Sequence, residues 1–484
     1  MSALIPTIGL EVHCQLKTAT KMFCACPTTH GAPPNTAVCP VCLGHPGALP
    51  VVNDEAVRLA VRAGMALGCT VHDGSVFARK HYFYPDLPKG YQISQFDQPI
   101  CTDGAIHCVV EGELKRFELE RIHMEEDAGK LSHDGDRSRV DWNRGGTPLI
   151  EIVGRPDIHS AEAAQSWMRT LHRVMTRAGV TAGDLEKGHF RCDANVSLGP
   201  PGGPLGTRVE IKNINSFRFL AKAISDEIAR QRELIAAGGR VEQSTRSWTG
   251  DGTVALRSKE DAADYRYFPD PDLGPVPVTQ LDRDEALEAL PGVPLDLYLY
   301  QQAQAAQDEL CSRHGLDTAD ATALLASPIL LDRFEAAVAA GGEPKPVANW
   351  VRGPWARWIK TNPGREAQIM PAQVVELERM IAAGTLTRDA AREVFERLCE
   401  AAADVKALVT EHGLGRVDDG ALITSRVAEI LSAHPDECRR LRSGEERLMG
   451  FFIGQVMRAF GGRADAGEVR SALQACLEAT ADTD

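Results

Sequence analysis

The chain has 484 residues and a formal net charge of −14, with 43% hydrophobic, 25% charged and 6% aromatic residues. That length exceeds one compact core and predicts two or three domains. The acidic balance argues against indiscriminate nucleic-acid binding, and no apolar run approaches the roughly 18 residues of a membrane span. Met1 to Thr7 lacks a basic region followed by an apolar one, so export is not expected. The 13 scattered cysteines are expected as reduced thiols in a cytoplasmic setting.

Read from the start, Glu11-Val-His13 puts an oxygen and a nitrogen ligand at alternate positions, on one face of a strand. Next come Cys24-Ala-Cys26 and Cys39-Pro-Val-Cys42. Two close thiol pairs at this separation have the spacing of a four-thiolate zinc site, which leaves no coordination position open and so reads as structural. The alternative is four buried apolar thiols. A helix is expected at about 54–68. Arg79-Lys80-His81-Tyr82-Phe83-Tyr84 then mixes cations and aromatics, suited to phosphate contact and base stacking or to a basic loop over an aromatic core.

Strands are expected at Ile106–Val110, Phe117–Ile122, Leu149–Val153, Phe190–Leu198 and Arg208–Ile211, with helices at about 160–179 and 217–237. Several carboxylates are misplaced for a core. Glu125-Glu126-Asp127 is either a solvated acidic turn or a cation site. Glu151 interrupts Leu-Ile-Glu-Ile-Val, where a charge is costly unless compensated, and Asp193 poses the same question. With Glu11, His13 and Glu210, these residues suit a hard divalent ion such as Mg²⁺. Arg208 to Lys212 and the polar run Asn213-Ile-Asn215-Ser216-Phe-Arg218, at a strand-to-helix junction, suit an anion. No Gly-x-x-x-x-Gly-Lys-Ser/Thr loop, strand-coupled Gly-x-Gly-x-x-Gly or Gly-x-Ser-x-Gly elbow is present.

The proline-rich stretches Pro269–Pro277 and Pro291–Pro294 predict a domain boundary. Beyond them the chain is helical in texture. Val374, Leu377 and Ile381 form a stripe ending at Gly384, and Thr387 is placed to cap a second helix carrying Ala391, Val394, Phe395 and Leu398. Gly450 and Gly454, one turn apart, are expected to permit close backbone approach. The arginine-rich segment 435–463 is either a solvated face or a phosphate contact. The expected fold class is α+β, with a sheet-rich front part over 1–295 and a helical back third.

These motifs converge. Ile8-Gly-Leu-Glu-Val-His13, Phe23-Cys-Ala-Cys26, Cys39-Pro-Val-Cys-Leu-Gly44, Tyr82-Phe-Tyr-Pro-Asp86 and Gly90-Tyr-Gln-Ile-Ser-Gln-Phe-Asp97 come first. His123–Lys130, Arg191-Cys-Asp-Ala-Asn195 and Asp264-Tyr-Arg-Tyr-Phe-Pro269 follow. In this order they resemble the B subunits of aspartyl/glutamyl-tRNA amidotransferases, over essentially the whole chain and most densely over 4–280. The fold the resemblance implies is an α+β, mixed-sheet cradle domain over 1–295 with the cysteine loop at 24–42, an all-helical domain over 296–410 and a small helical tail domain over 411–484. The resemblance also implies an ATP-dependent carbon-nitrogen ligase. It would activate the side-chain carboxylate of misacylated Glu-tRNA(Gln) or Asp-tRNA(Asn) as an acyl phosphate. Ammonia from a partner amidase, the A subunit of a heterotrimer, would then displace phosphate. A small C subunit would clasp the pair.

The same resemblance makes Glu11, His13, Glu125, Glu126, Glu151, Asp193 and Glu210 the candidates for catalysis and for ATP and Mg²⁺. Arg79, Lys80 and Tyr82 become candidates for phosphate or substrate, and Cys24, Cys26, Cys39 and Cys42 for structural Zn²⁺. The C-terminal helical region would grip the tRNA, with no membrane involved. Departures from the family pattern are His81 in place of Asn, Gly154-Arg155 in place of Ser-Glu, and Glu445 where a basic or polar residue is usual. They keep open a related acyl-phosphate ligase with a redirected substrate. A non-enzymatic, zinc-stapled RNA-binding protein is the third reading.

Overall fold

The computed structural model describes residues 4–214, 216–255, 265–417, 419–443, 445–461 and 463–479. Two compact units divide the chain, one reaching Gln301 and the other starting at Gln302.

Alternation of side chains organises the first unit. In the strand Ile5–Gln15, Ile8, Leu10, Val12 and Cys14 are fully buried, while Glu11 and His13 lie between them and face the other side. The strand Pro148–Gly154 repeats the pattern with Ile150 and Ile152 against Leu149, Glu151 and Val153. Phe190–Gly199 repeats it again, with Cys192, Ala194 and Val196 against Arg191, Asp193 and Asn195. These strands belong to a 13-stranded sheet. Its main path runs Thr253–Ala255, Ser244–Trp248, Val209–Ile214, Phe190–Gly199, Ile5–Gln15, Pro148–Gly154, Glu113–Glu126, Tyr91–Gln95, Phe77–His81 and Phe268–Pro269. Neighbours on this path are antiparallel except the Val209–Ile214 and Ser244–Trp248 pair. An antiparallel sheet can bury one face and leave the other polar, and this one does.

Helices cover the apolar face. Asp54–Ala66, Ala161–Arg177 and Phe217–Ala236 match the sequence expectation and share one apolar core with the strands. Each starts at a side-chain cap. Asn53 accepts from the backbone N–H of Glu55, Ser160 from Ala163 and Ser216 from Phe219. Trp167, Leu171 and Val174, at helical spacing along Ala161–Arg177, are fully buried. A Cβ at Gly154 would lie 3.3 Å from the Trp167 ring and 3.4 Å from the Leu10 carbonyl, so the indole packs directly beneath the sheet.

The proline-rich stretch is part of this unit. Phe268–Pro269 pairs with Ala78 and Arg79, and Val276–Pro277 with Gly74 and Ser75. Proline tolerates such edge positions because no ladder donor is required of it there.

The second unit holds two apolar cores, one drawn from Leu310 to Leu414 and the other from Ile423 to Leu473. Pro371–Ala382 carries the Val374–Leu377 stripe and ends before Gly384 at φ +71°. The hydroxyl of Thr387 accepts from the Ala390 N–H, starting the helix Arg388–Glu400 as its sequence predicts. A π-helical turn at Val351–Trp355 accommodates Pro354. One expectation fails: a Cβ at Gly450 or Gly454 would meet nothing within 4 Å, so these glycines open outward rather than admit a neighbouring backbone. Among the described residues no helix is long and apolar enough to cross a membrane.

Replacing Trp167 with Ala should cost about 3–5 kcal/mol by removing the largest fully buried side chain under the sheet. A denaturant titration showing less than about 1 kcal/mol would contradict this placement of the core.

Candidate active site and metal centre

Strand register gathers the ionisable residues into a row on the polar face. His13 lies directly across from Glu151, and Glu151 directly across from His123. Glu125, two residues beyond His123, joins them. The His13 Nε2 atom is 3.4 Å from Glu125 Oε1 and 3.5 Å from Glu151 Oε2. His123 Nε2 is 3.4 Å from Glu151 and 3.9 Å from Glu125. The donor atoms of His13, Glu125 and Glu151 all lie within 4.8 Å of one another. Two converging carboxylates suit an oxygen-seeking divalent cation, and the imidazoles beside them can orient those carboxylates.

The row continues on the other side of the first strand. Glu11 lies opposite Asp193, and Asn195 opposite Glu210. Asn195 donates to Glu11 Oε1 at 3.0 Å, and Thr245 to Glu210 at 2.8 Å. Lys212 reaches Glu210 at 3.1 Å and Asp193 at 3.5 Å. Lys80 lies with its ammonium 4.9 Å above the Tyr265 ring. Two cavities of about 540 and 220 Å³ open over this row and share His13, Lys80, Asp193 and Lys212 as walls. Tyr82 and Arg191 line the larger, and Glu11, Glu151 and Glu210 the smaller.

The electrostatics match the crowding. Burial pushes the Glu11 carboxyl up, and the charges of Glu151, Glu210 and Asp193 push it further. Glu125 is raised by burial, against His13, and again by Glu151. Glu151 moves the opposite way: burial would raise it, but His123 and His13 outweigh burial and hold it low. Burial pulls the Lys80 ammonium down, yet the field of Glu125, Tyr267 and Glu151 more than compensates, so its value is raised. Lys212 is raised in the same manner by Asp193 and Glu210 against burial.

Not every expected residue joins the row. Glu126 faces away from it. Its carboxylate pairs with Lys89 and accepts from the Ile93 N–H at 3.0 Å. Arg79 likewise points to the opposite side of its strand from Lys80. It is held by Asp270 at 2.9 Å and Asp272 at 2.8 Å, with Tyr91 4.2 Å beneath, so its charge is committed to the fold. His81 stacks on Phe268 at 4.9 Å. Arg155 lies 3.6 Å from both Asp103 and Glu118, and Glu445 receives two 2.9 Å hydrogen bonds from Arg440. Asp264 and Asn215, and the side chain of Asn213, lie outside the described residues. Ser216 caps its own helix rather than leaving that terminus open.

The row contains three residues that the sequence reading did not assign to it: His123, Arg191 and Lys212. Each stands two positions from an assigned carboxylate on the same strand, so period-two counting from Glu125, Asp193 and Glu210 finds all three.

The four cysteine sulphurs converge within 4.8 Å of one another. A tetrahedral zinc with Zn–S near 2.3 Å needs sulphurs about 3.8 Å apart. The Cys39 and Cys42 sulphurs are separated by 3.9 Å. The backbone N–H of Cys39 donates to Cys42 Sγ at 3.1 Å. The Cys42 thiol is pulled down to about 4, first by its hydrogen bond with Cys24; burial opposes this, and the Cys39 N–H and Lys21 assist. The donor set and its spacing fit a four-thiolate ion.

The chain is similar to known proteins over nearly its whole length. Residues 6–282 match the family model described as the GatB/GatE catalytic domain, and residues 332–477 the one described as the GatB domain. The chain is 46% identical over 483 residues to the B subunit of aspartyl/glutamyl-tRNA(Asn/Gln) amidotransferase from Geobacter sulfurreducens, covering 97% of this chain and 98% of that one. It is 46% identical over 481 residues to the protein of the same name from Persephonella marina, covering 98% and 99%. The corresponding protein of Thermodesulfovibrio yellowstonii is 45% identical over 466 residues, covering 95% and 96%.

Two neighbouring glutamates should therefore behave oppositely. Glu126→Ala strands the nearly buried Lys89 without its partner and should cost about 3–5 kcal/mol in a denaturant titration. Glu125→Gln removes a carboxylate that burial already disfavours, so it should leave stability within about 1 kcal/mol while eliminating activity. Equal stability losses in both variants would refute the assignment of the two side chains to opposite faces.

Proposed function

The chain belongs to the family of aspartyl/glutamyl-tRNA(Asn/Gln) amidotransferase B subunits, and from that premise we propose that it is the ATP-dependent ligase component of such an amidotransferase. Its substrate is the side-chain carboxylate of Glu-tRNA(Gln), Asp-tRNA(Asn) or both. The observation that carries the reading is the row of carboxylates and cations lining two cavities that share walls on one sheet face. A protein that only bound RNA would gain nothing from carboxylates placed toward a phosphate backbone.

In the proposed reaction a substrate carboxylate oxygen attacks the γ-phosphorus of ATP, and the bond to ADP breaks. Ammonia then attacks the acyl carbon, phosphate leaves with the bonding pair, and the nitrogen loses a proton. Lys80, Lys212 and Arg191 are the cations facing the larger cavity and are assigned to hold the phosphates. Glu125 and Glu151, positioned by His13 and His123, are assigned to hold Mg²⁺, with Glu11, Asp193 and Glu210 along the row completing the polar environment. The bound cation would neutralise the charge of the transferring phosphoryl group. Tyr82 and Tyr265 wall the cavities beside Lys80 and help to exclude water, which protects an acyl phosphate from hydrolysis.

Ammonia would come from a partner amidase, the A subunit, and a small C subunit would complete the complex. In this reading the chain divides at 295 and 410 into a catalytic domain, a helical domain and a helical tail over 411–484 that contacts the tRNA. The cysteine loop is assigned to structural Zn²⁺, since its four thiolates leave no open position.

The test supplies ammonium directly to the assembled complex with ATP, Mg²⁺ and misacylated tRNA, and measures the amide after deacylation. Wild type should form amide only with ATP. Glu151→Gln should lower the rate by at least about 10²-fold, with tRNA affinity unchanged within about twofold. Undiminished amide formation by Glu151→Gln would overturn the assignment.

A further inference from the structure

Lys21 is fully buried, which is exceptional for an ammonium. Among the described residues no carboxylate pairs with it. Its ammonium lies 3.7 Å from Cys42 Sγ and 3.4 Å from the Trp142 carbonyl oxygen. A buried ammonium is costly unless an anion compensates it, and a neutral carbonyl alone does not. Four thiolates around a divalent ion leave two negative charges in excess, and Cys42, the thiol that faces Lys21, is itself buried. Each feature supplies what the other lacks. Resting on the reading of the four cysteines as a metal centre, we infer that Lys21 is the positioning cation of that centre. In this role its ammonium donates to the metal-bound sulphur of Cys42.

The backbone beside Lys21 shows what this contact secures. Lys21 N–H bonds to the Cys26 carbonyl at 2.9 Å, fastening it to the first thiol pair. Met22 N–H bonds to the Gly146 carbonyl, and Gly146 N–H to the Asp127 carbonyl, both at 2.8 Å. Gly146 has φ +84°, and a Cβ there would lie 3.3 Å from Lys21 Cδ and 3.6 Å from Cys42 Cβ. The cysteine loop and the Trp142–Thr147 turn therefore close on the Lys21 side chain from two sides. That turn leads directly into the strand bearing Glu151, and Asp127 directly follows the strand bearing Glu125. Through Lys21 the metal centre pins the ends of the two strands that supply the candidate cation site.

The test uses the full chain loaded with Zn²⁺ or Co²⁺. Lys21→Met keeps the length and apolar stem of the side chain but removes the ammonium. It should weaken zinc binding by about 10–100-fold in competition with a chromophoric chelator, and shift the thiolate-to-cobalt charge-transfer bands. It should also shrink the rise in melting temperature that zinc confers on the apo chain. A packing role alone would lower apo and zinc-loaded melting temperatures together and leave that difference intact. If Lys21→Met yields no folded chain, Lys21→Arg decides. Shifted cobalt bands in that variant support the contact, and unchanged bands with unchanged zinc affinity overturn it. Wild type that takes up neither metal overturns the metal reading itself. Wild-type uptake with equally tight binding by Lys21→Met overturns the role of Lys21 alone.

Discussion

Repulsion between carboxylates collected on one face of a sheet is the constraint around which this molecule is arranged. Glu11, Glu125, Glu151, Asp193 and Glu210 cannot disperse, because the alternate positions on their strands are committed to the apolar core beneath. Two unit charges 4 Å apart at an effective dielectric constant near 20 cost about 4 kcal/mol. Several such pairs in one row would consume much of a domain's stability of about 5–15 kcal/mol. The row is tolerated because Lys80, Lys212, Arg191, His13 and His123 are threaded through it. That balance would favour an added cation at the carboxylates and an anion at the lysines.

The remainder of the first unit serves that face. Helices capped by Asn53, Ser160 and Ser216 cover the apolar side, so the strands cannot twist out of register without exposing Trp167 and its neighbours. Charges that do not belong in the row are neutralised outside it, Arg79 by Asp270 and Asp272, and Glu126 by Lys89. The cysteine loop is polar and proline-rich, and its four sulphurs converge within 4.8 Å, a donor set on which a metal would close it. Its fastening to the Trp142–Thr147 turn places that closure at the ends of the Glu125 and Glu151 strands.

Much of this was legible in the sequence wherever the signal is local. The thiol spacing announces four sulphurs that converge, and Glu151 within Leu-Ile-Glu-Ile-Val announces a charge that needs partners. Thr387 announces its helix because a cap lies next to what it caps. Signals failed where the deciding contact is distant or depends on parity. Glu125 and Glu126 are adjacent and chemically identical, and only the direction of the pleat sends one to the row and the other to Lys89. Arg79 reads as a phosphate ligand until the chain returns with Asp270 and Asp272 to occupy it. Gly450 and Gly454 have the spacing of a close-packed pair, yet spacing alone does not supply a partner helix. His123, Arg191 and Lys212 stand at alternate positions from Glu125, Asp193 and Glu210, within reach of the period-two spacing that puts Glu11 and His13 on one face.

The most direct test of the central claim is to trap the activated carboxylate on this face. The complex is incubated with ATP, Mg²⁺ and misacylated tRNA, with hydroxylamine replacing ammonia, and side-chain hydroxamate is measured. The account predicts ATP-dependent hydroxamate from wild type and next to none from Asp193→Asn, a change confined to the row. Hydroxamate forming at the wild-type rate in that variant would place the activation chemistry elsewhere in the molecule.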